Sequence, residues 1–232
     1  MVSAIILAAG SSSRMNGINK QLSAVGDIPV VAMSMQRFEH CERVGEIILA
    51  APEAECARYR SLAEKYGITK LKAVVSGGET RFLSVKSALR YVSDGAEYLA
   101  IHDGARPLIE TREIGRVIAD AERYGAAIAG IRAVDTVKSV GADGFVESTP
   151  PRASLFYAQT PQVFSRRLYL ECIERLGSLA ESATDDSMLL EQCGKRVFVT
   201  EISCCNMKIT RPDDLAAANA IISARKAGGV CE

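Results

Sequence analysis

Short apolar runs alternate with amphipathic stretches along most of this chain. Ala4–Ala8 is apolar and rich in β-branched residues, which suits a strand buried on both faces. Glu46–Ala51, Leu71–Val75, Tyr98–His102, Ala126–Ile131 and Val197–Thr200 read as further strands. Between them fall helical patterns: Pro29–Phe38, opening on proline, and Pro52–Tyr66, closed by Gly67. A helix opened by Ser76-Gly-Gly-Glu-Thr-Arg81 runs to about Ser93, and others cover Thr111–Tyr124, Arg166–Leu176, Asp185–Cys193 and Pro212–Ala227. This β-α-β-α rhythm predicts an α/β fold, a mostly parallel sheet with helices on both faces. It breaks at Val134–Pro151. There Asp135-Thr-Val-Lys138 and Phe145-Val-Glu147 flank the turn Gly141-Ala-Asp-Gly144, a hairpin with few apolar residues. It reads as a protruding arm seeking a second subunit, or as a flap on its own chain.

At 232 residues the chain fits one domain, 1–232, with the 134–151 hairpin as an appendage. Its 28 basic and 28 acidic side chains balance, so nothing draws the whole molecule to nucleic acid or an anionic membrane. Bound anions must be held by local cations. Seven cysteines, with no C-x-x-C spacing, argue against a zinc site and a secreted disulfide framework. Free thiols in a soluble cytoplasmic protein are the simpler reading, and the vicinal Cys204-Cys205 reads as two small buried residues ending a strand rather than a redox device. No stretch reaches the roughly 18 apolar residues of a membrane span.

Candidate chemistry sits in three loops that directly follow strands, where ligands of open parallel sheets bind. In the first, Ala9–Ser13 offers small residues whose N–H groups a polyphosphate can approach, with Arg14 and Lys20 beside them. Neither G-x-G-x-x-G nor G-x-x-x-x-G-K-[ST] is present, so an ordinary loop with two solvated cations is the competing reading. The others are 76–81 and 102–107. Asp103 could bind Mg²⁺ or a substrate hydroxyl, or serve as a helix cap or a bridge to Arg106. His102 reads as a packed residue rather than a catalyst, and Asp185-Asp186 as a helix cap rather than a metal pair.

Taken in order, these segments resemble the 2-C-methyl-D-erythritol 4-phosphate cytidylyltransferase family over nearly the whole chain. The resemblance is carried by Leu7-Ala-Ala-Gly10 with Arg14-Met15, Lys20-Gln21, Gly77-Gly78 with Arg81 and Ser84-Val85, His102-Asp-Gly-Ala-Arg-Pro107, Asp135-Thr136 with Lys138, Gln159-Thr-Pro-Gln162, Thr184-Asp185, and Asn206-Met-Lys-Ile-Thr-Arg-Pro-Asp-Asp-Leu215. It implies a Rossmann-like sheet of the nucleotide-diphospho-sugar transferase type and Mg²⁺-dependent transfer of CMP from CTP to methylerythritol phosphate, by a homodimer. It further implies that Arg14 and Lys20 stabilise the transition state while Arg152 and Lys208 hold the acceptor. Ala8, Ala9 and Gly10 would pack on ribose and triphosphate, and Gly77, Gly78, Glu79, Arg81 and Ser84 would form the nucleotide pocket. Asp103, Arg106, Thr136, Thr160 and Thr184 would contact the acceptor, some from the partner subunit, with Asp103 also a candidate metal ligand.

The chemistry agrees with loops built of cations. A phosphate monoester with a second pKa of about 6 is already largely a dianion at neutral pH, so the nucleophile needs no base. The obstacle is repulsion between two polyanions, which positioned cations relieve. Departures from the family pattern are Asn19 in place of proline, which predicts a looser approach to Lys20, Glu79 in place of aspartate, Pro151 before Arg152, and Phe156 in place of tryptophan. A cytidylyltransferase acting on ribitol 5-phosphate or another polyol phosphate, and a non-catalytic nucleotide-binding regulator, remain alternatives.

Overall fold

A computed structural model describes residues 1–10, 19–203 and 205–228. β1 (Val2–Leu7) is an interior strand of a seven-stranded sheet, where its unbroken apolar run is required. A small hairpin follows, β2 (Ala24–Val25) and β3 (Ile28–Pro29), running into α1 (Val30–Glu39). β4 (Val44–Ala51), a short 3-10 turn with α2 (Cys56–Lys65), β5 (Leu71–Ser76) and α3 (Arg81–Leu89) complete the first half. The 52–66 segment is therefore two pieces, and α3 stops four residues short of Ser93.

The second half comprises β6 (Tyr98–Asp103), α4 (Thr111–Tyr124), β7 (Ala126–Arg132), the paired β8 (Ser139–Val140) and β9 (Val146–Ser148), and β10 (Phe156–Ser165). It closes with α5 (Arg166–Leu176), α6 (Asp186–Gln192), β11 (Phe198–Glu201) and α7 (Pro212–Ala227). The sheet order is β11-β7-β10-β6-β1-β4-β5. β10 runs antiparallel to both β6 and β7, and the other neighbours in this sheet are parallel.

Strand β10 is absent from the sequence reading because Pro161 sits inside it, and proline normally argues against a central strand. The fold accommodates it at an irregularity. Register with β7 lapses between Ala158 and Gln162, so Pro161 occupies a place where no ladder bond is owed; the Thr160–Pro161 peptide is cis.

Alternation along β1 divides the core into two layers. Ala4 and Ile6 face α1, α2 and α4, with Phe38, Tyr59, Ile114, Val117 and Ile118 fully buried on that side. Ile5 faces α3, α5 and α6, against Phe82, Val85, Tyr169 and Leu190. Helix α4 shows the spacing rule directly, since Ile114, Val117, Ile118 and Ala121 form one buried stripe. The helix ends at Gly125, whose φ of 87° is the left-handed cap that glycine supplies without strain.

The hairpin of the arm forms, with its ladder displaced from the expected strands. Ser139 pairs with Ser148 and Val140 with Val146, and Gly144 N–H donates to Gly141 O to close the turn. Val134, Val140, Phe145 and Val146 are exposed, so these apolar side chains cover nothing in the protomer. Among the described residues no helix is long and apolar enough to cross a membrane.

Candidate active site

The carboxyl ends of β1 and β6, the 76–81 turn and the segment after β11 converge on a cleft of about 330 Å³. Ala9, Gly10 and Lys20 line it from the first loop, Gly78 to Arg81 and Ser84 from the second, and Asp103 and Lys208 close it. The three strand-following loops therefore share one crevice. Arg14 lies outside the described residues.

Asp103, the last residue of β6, is the organising charge. Lys208 Nζ lies 2.9 Å and Arg106 Nε 3.3 Å from its Oδ2, while Arg81 Nε lies 3.6 Å from Oδ1. Burial alone would raise the carboxyl pKa. Lys208, then Arg81 and Arg106, outweigh it and hold Asp103 well below the usual carboxylate range.

Asp103 is fixed from behind by His102. The carbonyl of Arg106 can only accept, so His102 Nε2, 3.2 Å away, is assigned the proton. Nδ1 then accepts from the Thr160 hydroxyl at 3.0 Å, and that hydroxyl oxygen accepts the Asp103 backbone N–H at 3.0 Å. Burial lowers the His102 pKa to about 4. The imidazole is neutral with both nitrogens engaged, which suits a packed residue.

Asn206 extends this bracket, although the sequence reading gave it no role. Its Nδ2 donates to Thr160 O at 2.8 Å and its carbonyl accepts Arg106 Nη1 at 2.9 Å, two residues before Lys208. Sequence alone offers only its place in the 206–215 motif as a signal.

The 76–81 turn is held by its own side chains. Thr80 caps α3 by accepting Leu83 N–H at 3.1 Å, and Ser84 Oγ accepts Gly78 N–H at 3.1 Å. At Gly77 a Cβ would meet Ala9 Cβ at 2.2 Å. Its missing side chain lets this turn seat on the first loop, whereas Gly78 is the glycine on the cleft wall. Ala8 likewise turns into the core and is 1% exposed.

Asn19 corrects the expectation of a looser approach to Lys20. Its Oδ1 accepts Gln21 N–H at 3.1 Å, its Nδ2 donates to Glu55 Oε2 at 3.0 Å, and its carbonyl accepts Leu22 and Ser23 N–H. Hydrogen bonds thus stiffen the turn where a proline ring would.

Three expected acceptor contacts lie apart from the cleft of this protomer. Thr136 and Arg152 are exposed at the arm, Arg152 Nη1 donating to Val134 O at 2.8 Å to brace its base. Thr184 is exposed, with its hydroxyl on Met188 Sδ at 3.7 Å. Of the acidic pair, Asp185 is the cap, accepting Met188 N–H at 3.0 Å. Asp186 turns inward instead and pairs with Arg81. Cys205 is exposed and stands beyond the end of β11, contrary to the buried reading, and its neighbour Cys204 is outside the described residues.

Magnesium does not fit Asp103 in this arrangement. Both carboxylate oxygens face cations, and no group of three or more His, Cys, Asp or Glu side chains clusters among the described residues. Asp103 here is the anchor of three cations and not a metal ligand.

A sequence profile of the 2-C-methyl-D-erythritol 4-phosphate cytidylyltransferase family matches residues 2–224. The chain belongs to that family. Proteins of that name from Geobacillus kaustophilus and Syntrophus aciditrophicus are each 40% identical to it, covering 97% and 95% of this chain and 98% and 95% of their own. A crystal structure of 4-diphosphocytidyl-2C-methyl-D-erythritol synthase from Anaerococcus prevotii superposes with a TM-score of 0.84 at 30% identity, covering 96% of each chain. The Thermus thermophilus cytidylyltransferase gives 0.75 at 26% identity, over 95% of this chain and 98% of that one. The family's cytidylyltransferases are nucleotidyltransferases, and the mixed, mostly parallel sheet is their architecture.

Proposed function

We propose that this chain transfers the CMP moiety of CTP to the phosphate of 2-C-methyl-D-erythritol 4-phosphate, releasing pyrophosphate, in isoprenoid precursor synthesis. Family membership supports the reaction. The observation that carries the mechanism is the gathering of Arg81, Arg106 and Lys208 around Asp103, with Lys20 lining the same cleft.

An oxygen of the acceptor phosphate attacks the α-phosphorus of CTP and forms a new P–O bond. The bond from that phosphorus to the bridging α–β oxygen breaks, and its electron pair leaves with pyrophosphate. No proton must be removed first. Negative charge grows on the non-bridging oxygens and the leaving group, where fixed cations act most strongly. We assign Lys20, with Arg14, to that charge, and Lys208, with Arg152, to the acceptor phosphate. Ala9, Gly10, Gly78 and Ser84 bound the nucleotide, and Asp103 keeps the cations apart and oriented until substrate arrives. Mg²⁺ bound to CTP would neutralise part of the triphosphate charge, and none of the described side chains is assigned to hold it.

The arm gives the reason to propose a homodimer. Thr136 and Arg152 belong to the site only if they reach a neighbouring protomer's cleft, and the exposed apolar residues of 134–146 need a surface. The free cysteines suit a reducing compartment, the cytoplasm.

The test is pyrophosphate release from CTP, ATP, UTP and GTP, each with methylerythritol phosphate or ribitol 5-phosphate. CTP with methylerythritol phosphate should exceed other pairs by orders of magnitude in kcat/KM. Equal use of ribitol 5-phosphate would move the chain to the sister activity, and binding without release would make it a regulator.

A further inference from the structure

Arg81 is the first residue of α3, where the helix dipole disfavours a cation. Its guanidinium nevertheless lines the cleft, held from two sides. Nη1 donates to Asp186 Oδ2 and Nε faces Asp103 Oδ1, while Nη2 is buried with no acceptor. Asp186 is itself 1% exposed and oriented by Tyr169, whose hydroxyl donates to Oδ1 at 2.6 Å. The Tyr169 ring is fully buried against Phe164, centroids 5.4 Å apart. A relay of contacts therefore runs from the α5–α6 layer to the wall of the cleft.

From this geometry we infer that Asp186, held by Tyr169, is a positioning residue for the cytidylyl transfer. It fixes the plane of Arg81 so that the guanidinium stays on the cleft wall and Nε shares Asp103 with Arg106 and Lys208. The inference rests on the proposed reaction. A guanidinium anchored on Asp186 cannot swing out to lie along the polyphosphate as a mobile counterion. Burial alone would lower the Arg81 pKa, but Asp186, then Asp103, raise it, so the charge is permanent. Burial, then the Asp186 carboxylate, raises that of Tyr169, so its hydroxyl stays a donor.

A merely structural role and a positioning role separate by shape against charge. Asp186→Asn preserves shape and removes charge, whereas Asp186→Glu keeps charge at the expense of fit. Positioning predicts that Asp186→Asn lowers kcat/KM by about ten- to a hundredfold, the usual effect of losing an orienting partner, and that Asp186→Glu recovers most of it. Tyr169→Phe removes one hydroxyl and should give the same change at smaller size, which decides the matter if the Asn variant does not fold. Arg81→Lys should abolish the further effect of Asp186→Asn.

A second readout does not depend on turnover. In ¹⁵N-arginine-labelled protein the Arg81 guanidinium N–H signals should exchange slowly, and exchange fast in Asp186→Asn. Wild-type protein that shows the slow signals and no cytidylyl transfer would defeat the assigned reaction and leave the clamp standing. Full activity in Asp186→Asn with loss in Asp186→Glu, or unchanged guanidinium signals in both Asp186→Asn and Tyr169→Phe, would overturn the positioning role.

Discussion

Asp103 is 8% exposed with three cations around its carboxylate, whereas Phe145 on the arm is 75% exposed and the strands beside it share two registered pairs. Both regions leave the same edge of the sheet, where β6 and β7 end. In the cleft, charges satisfy one another inside the protomer before substrate is present. On the arm, apolar side chains are left for a surface the protomer does not contain. The contrast teaches that the cleft's charges are pre-organised within the protomer, and that the arm's apolar side chains add nothing to its core.

The largest effect expected from testing this contrast is on folding. Asp103→Asn leaves Arg81, Arg106 and Lys208 without their shared anion and should cost about 3–5 kcal/mol, as broken buried ion pairs do. Urea unfolding would report it; a loss below 1 kcal/mol would mean the three cations find other partners.

Acid should act next in size. His102 has a folded pKa of about 4 against its ordinary 6.5, so the unfolded chain takes up the proton first. Stability is then complete above pH 6.5 and falls by about 3 kcal/mol on the way to pH 4. Asp103 extends the loss: its folded pKa is depressed, so its contribution is present above the ordinary carboxylate range and disappears as pH falls below it. His102→Gln should flatten the slope of unfolding free energy between pH 6.5 and 4.5, and an unchanged slope would remove His102 as the cause.

Lys20→Ala should lower turnover about a hundredfold or more while leaving CTP affinity nearly intact, the signature of a group that acts on transition-state charge. Steady-state kinetics on folded variants decides, and a change confined to KM would contradict the role.

The smallest effect on the fold should come from the arm. Replacing Val140–Phe145 by a tight two-residue turn should change protomer stability by no more than about 0.5 kcal/mol, yet abolish association in light scattering and activity with it. If a Lys20→Ala chain mixed with an Arg152→Ala, Thr136→Ala chain regained turnover, one site would draw on the cleft of one protomer and the arm of the other. A fully active monomeric arm variant would end the shared-site proposal.

Legibility followed the range of the interactions. The limits of α4 and α7 were readable to the residue because spacing, capping glycine and an opening proline are local. Asp103 and Lys208 were found from strand-end position and family pattern. Strand β10 was missed because Pro161 hides it, and its place depends on a lapse in pairing with β7, which no neighbouring residue announces. Asp186 stands in the first turn of α6 as expected, but its inward pairing was not visible, for a similar reason. Its sequence context is that of a cap, while its partner Arg81 stands 105 positions earlier. Asn206 likewise acts through Thr160 and Arg106, both remote in sequence.

The reversed direction of β10 makes the arm modular. Because β7 ends and β10 begins at the same edge, with Arg132 opposite Phe156, the whole 134–151 segment is an insertion within a hairpin. A chain joining parallel neighbours would have to cross the sheet, and any change in its length would disturb a packed helix. Here residues can be added or removed without rethreading a strand. The length and reach of the arm can therefore change while the charges of the cleft stay in place.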